Sequence, residues 1–196
     1  MQLPLFPLDV FLLPGERTKL HIFEPRYKQL IRDCLAQPVA LFGIPFFSVV
    51  NTANYCSIVR IVNAYNYNDL GECDIDIVAV DVAVVTKFEH QKSEGILYPY
   101  GNLVELKLNT FQEVPADITE LLPAISDWQN HEVLIDRQPL SLTEVFLSMN
   151  PNVLDKLEFV ARKDDAARAH YLRQFIQYFR SISEQESCVY ADFYLN

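Results

Sequence analysis

Four histidines, His21, His90, His131 and His170, are the side chains best able to move protons near neutral pH. None stands at metal-ligand spacing from another His or from a Cys, and HExxH is absent. His21 lies in a strand-like segment amid hydrophobes, which predicts a packed or hydrogen-bonded core histidine. Glu72-Cys73-Asp74 with Asp76 places three carboxylates close together, but their spacing reads as a solvated strand edge rather than a divalent site. Ser93 adjoins Lys92, yet a Ser–Lys dyad needs the two groups facing each other in a buried site. Five glycines, Gly15, Gly43, Gly71, Gly95 and Gly101, build neither GxGxxG nor GxxxxGK[ST]; no GxSxG occurs either. No catalytic residue, metal ligand or cofactor is therefore assigned.

The charge balance narrows the partner classes. The chain has 196 residues and a formal net charge of -10. Residues 69–136 carry fourteen Asp or Glu against Lys87, Lys92 and Lys107. Such a field opposes a phosphate backbone and an anionic lipid surface, so neither nucleic acid nor membrane is an expected partner. Arg162, Lys163, Arg168, Arg173 and Arg180 share their stretch with Asp164 and Asp165, which reads as a solvated helical face. Cys34, Cys56, Cys73 and Cys188 form no CxxC, and Pro4, Pro7 and Pro14 interrupt an N-terminus that lacks a basic leader. Together these features predict reduced thiols in a cytoplasmic protein. No run of about 18 apolar residues predicts a membrane span.

Hydrophobic periodicity supplies the elements. Leu3–Phe6 and Lys19–Phe23 read as short strands around a Pro14-Gly15 turn. A helix starts at Glu24-Pro25, where proline suits the first turn. Tyr27, Leu30, Ile31, Cys34 and Leu35 then form its apolar face. Val39–Phe47 reads as a buried strand interrupted near Gly43 and Pro45, and Cys56–Ala64 as a β-branched strand. Asp74–Phe88 reads as a long strand whose later, almost wholly apolar half is expected to be buried on both faces. Asn102–Leu108 alternates. Past residue 112 the strand signals fade. Asp117–Glu120 and Ser141–Glu144 have capping-box spacing, and Val153, Leu154, Leu157 and Val160 outline a short helix. A final helix is capped by Asp164 or Asp165 and runs to about Ser181, with Leu172, Phe175, Ile176, Phe179 and Ile182 as its stripe and Arg168 on its wet side. Strands with one early helix, then helices alone, predict an α+β chain. It comprises a β-barrel or compact sheet over 1–112 and a helical subdomain over 113–196.

One stretch carries a family likeness. Leu3-Pro4-Leu5-Phe6-Pro7-Leu8, Phe11-Leu12-Leu13-Pro14-Gly15 and Leu20-His21-Ile22-Phe23-Glu24-Pro25-Arg26-Tyr27 occur in order. They resemble the opening of the Lon protease amino-terminal, substrate-binding domain. Phe42-Gly43-Ile44 is similar to that family's next strand, and Tyr98–Glu105 to its closing barrel strand. Tyr55-Cys56-Ser57 and Asp81-Val82-Ala83-Val84 depart from the family's glycine-containing central elements. The resemblance implies a PUA-like β pseudo-barrel followed by an α-helical bundle. It also implies a role in holding unfolded polypeptide or a protein partner, without the ATPase and peptidase domains of full-length Lon. In the family motif Pro4, Pro7, Pro14, Gly15, Glu24, Pro25, Arg26 and Tyr27 are read as structural. Glu24 favours the positive end of the helix and Arg26 ties its start to a carboxylate or to barrel carbonyls.

The expected function is thus a non-catalytic polypeptide-binding module, its contact surface drawn from Phe6, Phe11, Phe23, Tyr65, Tyr67, Tyr98 and Tyr100. Two alternatives stay open. A PUA-like barrel can bind RNA, and it can host an enzyme pocket, for which His21 or the Asp74–Asp76 pair is the place to look.

Overall fold

The computed structural model describes residues 1–90, 94–108, 114–121 and 141–193, with side chains to 181. Lys92, Ser93, His131 and the 112/113 boundary lie outside the described residues, as do the side chains of Ile182 and Cys188. The chain divides into two compact units, Met1–Asn109 and Thr110–Asn196.

The first unit is an antiparallel sheet built on one long strand. Its elements are β1 (Gln2–Pro4), β2 (Arg17–Ile22), α1 (Pro25–Leu35), β3 (Leu41–Pro45), β4 (Tyr55–Tyr65), β5 (Cys73–Glu89) and β6 (Tyr100–Glu105). β4 lies along one edge of β5; β2 and then β6 share the other. The order is β1-β6-β5-β4-β3. Register shifts beside Val80, Val62 and Thr86 let the long strand coil. Val78 with Ala79 and Val82 with Ala83 are adjacent buried pairs, so both faces of the strand are covered there. The later half of β5 is not buried on both faces as expected: Thr86, Lys87 and Phe88 are exposed.

The segment after β1 closes the sheet on itself. Leu5 N–H donates to Pro99 O at 2.8 Å, beside β6, and Phe6 N–H donates to Gly43 O at 2.8 Å, on β3. Leu5 is fully buried. A Cβ at Gly101 would stand 2.6 Å from Leu5 Cδ1, and one at Gly43 would stand 2.8 Å from Leu5 Cδ2. Each glycine makes room for one leucine methyl. Pro4 ends β1, an edge position that needs no ladder donor. At the Pro14-Gly15 turn Gly15 adopts φ +95 and donates its N–H to Ala79 O.

β3 runs through Gly43 without interruption, but the buried run is shorter than expected. Phe42, Gly43 and Ile44 are inside, whereas Val39 and Phe47 project outward. α1 follows its periodicity. Tyr27, Leu30, Ile31 and Cys34 are buried, and Tyr27 stacks on Phe6 at 3.8 Å, which adds about 0.5–1.5 kcal/mol beyond area burial. Leu35, expected on that face, is exposed at the last turn. Arg26 Nε donates to Glu24 Oε2 at 2.9 Å, so the predicted tie at the helix start is made within the motif itself.

The second unit holds α2 (Ala116–Thr119), α3 (Leu142–Ser148), α4 (Val153–Val160) and α5 (Asp165–Phe193). Ser141 and Glu144 form the expected capping box, and Asn152 with Asp155 forms a second. Asp117 is not the N-cap. Pro115 occupies the N-cap, and the Asp117 carboxylate accepts from Arg173 Nη2 at 2.9 Å instead. Phe146 stacks on Phe159 at 4.4 Å, with Tyr171 and Phe175 packed around the pair. Asp164 Oδ1 accepts from Ala167 N at 2.9 Å, so Asp164 caps α5, which continues past Ser181 to Phe193. Arg168 is buried rather than wet, paired with Asp165 at 2.6 Å.

Candidate functional site

The sequence-predicted contact residues separate by burial. Phe6, Phe11 and Tyr98 are core side chains and cannot form a contact surface as placed. Phe6 packs on Tyr27 and Phe42, Phe11 on Phe46 and Tyr55. Tyr98 O–H donates to Asp33 Oδ2 at 3.0 Å, and burial, then Tyr100 and Asp33, push its pKa up. Tyr65 and Tyr100 are half-buried. Tyr65 O–H donates to Asp76 Oδ1 at 3.1 Å. Phe23 and Tyr67 are exposed.

Tyr67 belongs to the most informative concavity, a groove of about 670 Å³ between α1 and the β4–β5 turn. Its rim is apolar: Leu35, Tyr67, Leu70 and Leu97. Tyr67 is 61% and Leu70 73% exposed. Lys28 and Arg32 are the charged residues among its lining, and no carboxylate is. Buried Cys73 forms part of the floor. Burial, and then its contact with the Cys73 thiol, push the Tyr67 phenol up.

Hydrogen bonds fix the groove walls. Lys28 Nζ donates to Leu70 O at 2.8 Å, clamping the turn to α1. Gln29 Nε2 donates to Gly95 O at 2.7 Å and Gln29 Oε1 accepts from Leu97 N at 2.8 Å, holding the opposite wall. Within the turn, Asn68 Oδ1 accepts from Leu70 N and Glu72 N, and Gly71 adopts φ +71. The Asn, Asp and Gly cluster at 66–71 thus presents Leu70 on a rigid turn. Holding a large apolar side chain so exposed forfeits about 1.5–3 kcal/mol that its burial would contribute. That cost marks a surface suited to bury apolar groups of another molecule.

Leu97 also lines a second concavity of about 530 Å³, with Leu8, Tyr27, Phe47, Phe88 and Pro99. Phe47 is 80% exposed, on a loop that Asn51 clamps by donating to Phe46 O and Tyr55 O and accepting from Tyr55 N. A third concavity, of about 720 Å³, lies beside Asp33, Tyr98 and Tyr100.

None of these concavities is lined by His21, Asp74 or Asp76. His21, expected in the core, is exposed, because the odd-numbered residues of β2 point outward. Its Nδ1 lies 2.8 Å from Asp74 Oδ1. Asn66, donating to Asp74 Oδ2 at 2.7 Å, and then His21 hold the Asp74 carboxyl below its ordinary value. Cys34, Cys56 and Cys73 are free, buried thiols; burial pushes Cys34 up to about 12. Among the described residues no group of three His, Cys, Asp or Glu could hold a metal ion. Also among them, no helix is long and apolar enough to cross a membrane.

No protein-family model matches the sequence, and no curated protein matches it. Solved structures do match. The Lon N-terminal domain protein from Xanthomonas campestris superposes with a TM-score of 0.66 at 21% identity, covering 90% of this chain and 98% of that one. The N-terminal domain of Mycobacterium avium complex Lon protease superposes with a TM-score of 0.66 at 13% identity, over the same shares. The mixed α and β fold built on an antiparallel sheet is therefore the fold of Lon amino-terminal domains, as the opening motifs implied.

Proposed function

We propose that this chain is a non-catalytic polypeptide-binding module, a PUA-like barrel over 1–112 with a helical subdomain over 113–196. Its site is the groove between α1 and the β4–β5 turn, and its ligand is an unfolded segment rich in apolar side chains. One observation carries the reading: Tyr67, Leu70 and Leu97 stand exposed on walls that Lys28, Gln29 and Asn68 fix by hydrogen bonds. Preorganised walls reduce the ordering entropy that binding must offset. The Lon-type fold supports the same reading, since substrate engagement is the role that the family resemblance implies.

A labelled apolar peptide titrated by fluorescence anisotropy tests it. Burial of one leucine-sized side chain stabilises by about 1.5–3 kcal/mol, so Leu70→Ser and Tyr67→Ser are each expected to weaken binding by about tenfold or more. Unchanged affinity in both variants, or no binding to the parent protein, overturns the assignment.

A further inference from the structure

β2 is paired on one side only. Among the described residues it pairs with β5, and no strand pairs its other edge. Ala79 N–H donates to Glu16 O at 2.9 Å, which fixes the phase of the ladder. Antiparallel pairs alternate between bonded and non-bonded, so Thr18 and Leu20 exchange hydrogen bonds with Ile77 and Ile75. The N–H and C=O groups of Arg17, Lys19 and His21 therefore point away from β5, to the open edge. The same three residues carry exposed side chains, whereas Thr18 and Leu20 are half-buried. Three basic-type side chains thus border a row of backbone groups that have no strand partner among the described residues, in a chain of net charge -10.

Carboxylates already face part of this row from within the sheet. Asp74 lies against His21, and Asp76 is the ladder partner of Lys19, which also stands 6.0 Å over the Tyr65 ring. Arg17 differs: its ladder partner is Val78, so no carboxylate stands across from it. A second copy of the chain is a poor occupant. Antiparallel self-pairing centred on Lys19 sets Lys19 against Lys19, and like charges directly opposite are destabilising.

We infer that the open edge of β2 accepts an extended acidic segment by strand addition, with Asp or Glu at alternate positions against Arg17, Lys19 and His21 and apolar residues between. Backbone hydrogen bonds give the affinity and the alternate carboxylates the selectivity. The surface is separate from the α1 groove.

Amide hydrogen exchange read by NMR on the full chain tests this. The probe is a peptide alternating Glu with Val; its control alternates Lys with Val. The Glu peptide is expected to slow exchange at Arg17, Lys19 and His21 N–H, with an affinity that falls as salt rises. Lys19→Pro removes an outward donor while sparing the β5 ladder, and abolishes that protection. Arg17→Glu keeps every backbone group and weakens binding by about tenfold, which decides the matter if the proline variant does not fold. Tyr67→Ser leaves it unchanged. No protection of the three amides, equal protection by the Lys peptide, or its loss in Tyr67→Ser overturns the inference.

Discussion

Leu5 fills the seam where the sheet closes, and its two methyls each face a glycine. Gly101→Ala would place a Cβ 2.6 Å from Leu5 Cδ1, 3.3 Å from Leu5 Cγ and 3.2 Å from the Lys87 carbonyl oxygen. Real Cβ atoms do not approach at 2.6 Å, so Leu5 must leave its rotamer or the strands must part. Overpacking of this kind costs about 1–3 kcal/mol. Leu5→Ala alone removes a fully buried side chain and is expected to cost about 2–5 kcal/mol. The double variant is the informative one. With Leu5 shortened, both Leu5 atoms that obstruct the new methyl, the closest one included, are gone, and that methyl occupies part of the vacated space. Only the contact with Lys87 O remains tight. The double variant is therefore expected to lose at least about 1 kcal/mol less than the two single losses combined, a coupling well outside the ~0.3–0.5 kcal/mol scatter of independent sites. Urea unfolding followed by circular dichroism measures all four proteins. Additive losses refute the picture of Leu5 wedged against Gly101.

Three further outcomes follow from local chemistry. Ser141→Ala removes the cap of α3 and is expected to cost about 1 kcal/mol in urea unfolding; Ser141→Gly, which keeps the backbone conformation accessible, costs less. Cys34 is buried and its thiol is pushed up to about 12, so at neutral pH a thiol reagent is expected to label it in urea but not in the native protein. Rapid native labelling contradicts the burial. For Asp74 the folded value lies below the ordinary 3.8, so its clasp with Asn66 and His21 contributes stability above that value. The contribution fades as pH falls through the folded value. The gap in urea midpoint between parent and Asp74→Ala is therefore expected to narrow in acid; a gap constant with pH contradicts it.

Much of the first unit was legible because local signals agreed. Pro25 at the first turn and the spacing of Tyr27, Leu30, Ile31 and Cys34 could be satisfied by one helix face, and Pro14-Gly15 by one turn. Ser141 with Glu144 also formed the predicted cap. The misses came where tertiary context chose between equal local options. Asp117 had capping-box spacing, but Pro115 took the cap and Arg173, fifty-six residues away, took the carboxylate. Arg168 sat at a nominally wet position, yet pairing with Asp165 let it be buried. His21 depended on which face of β2 turned inward, which the hydrophobes around it did not decide.

The groove was half legible. Tyr67 stands out by its aromatic type, whereas Leu70 and Leu97 lie outside the aromatic set. Leu70 did leave a trace: a leucine between Asn68-Asp69 and Gly71 is an apolar residue inside a turn-forming cluster, where burial is difficult. Phe6, Phe11 and Tyr98 looked equivalent to Tyr67 in sequence and differ only by long-range packing.

The closing seam joins distant parts of the chain. The place of Leu5 requires Gly43 and then Pro99 and Gly101, almost a hundred residues further along. A chain not yet made that far leaves β1 waiting without its β6 partner. Prolines at positions 4 and 7 suit that wait, because a segment that lacks donors is a poor template for a neighbouring chain.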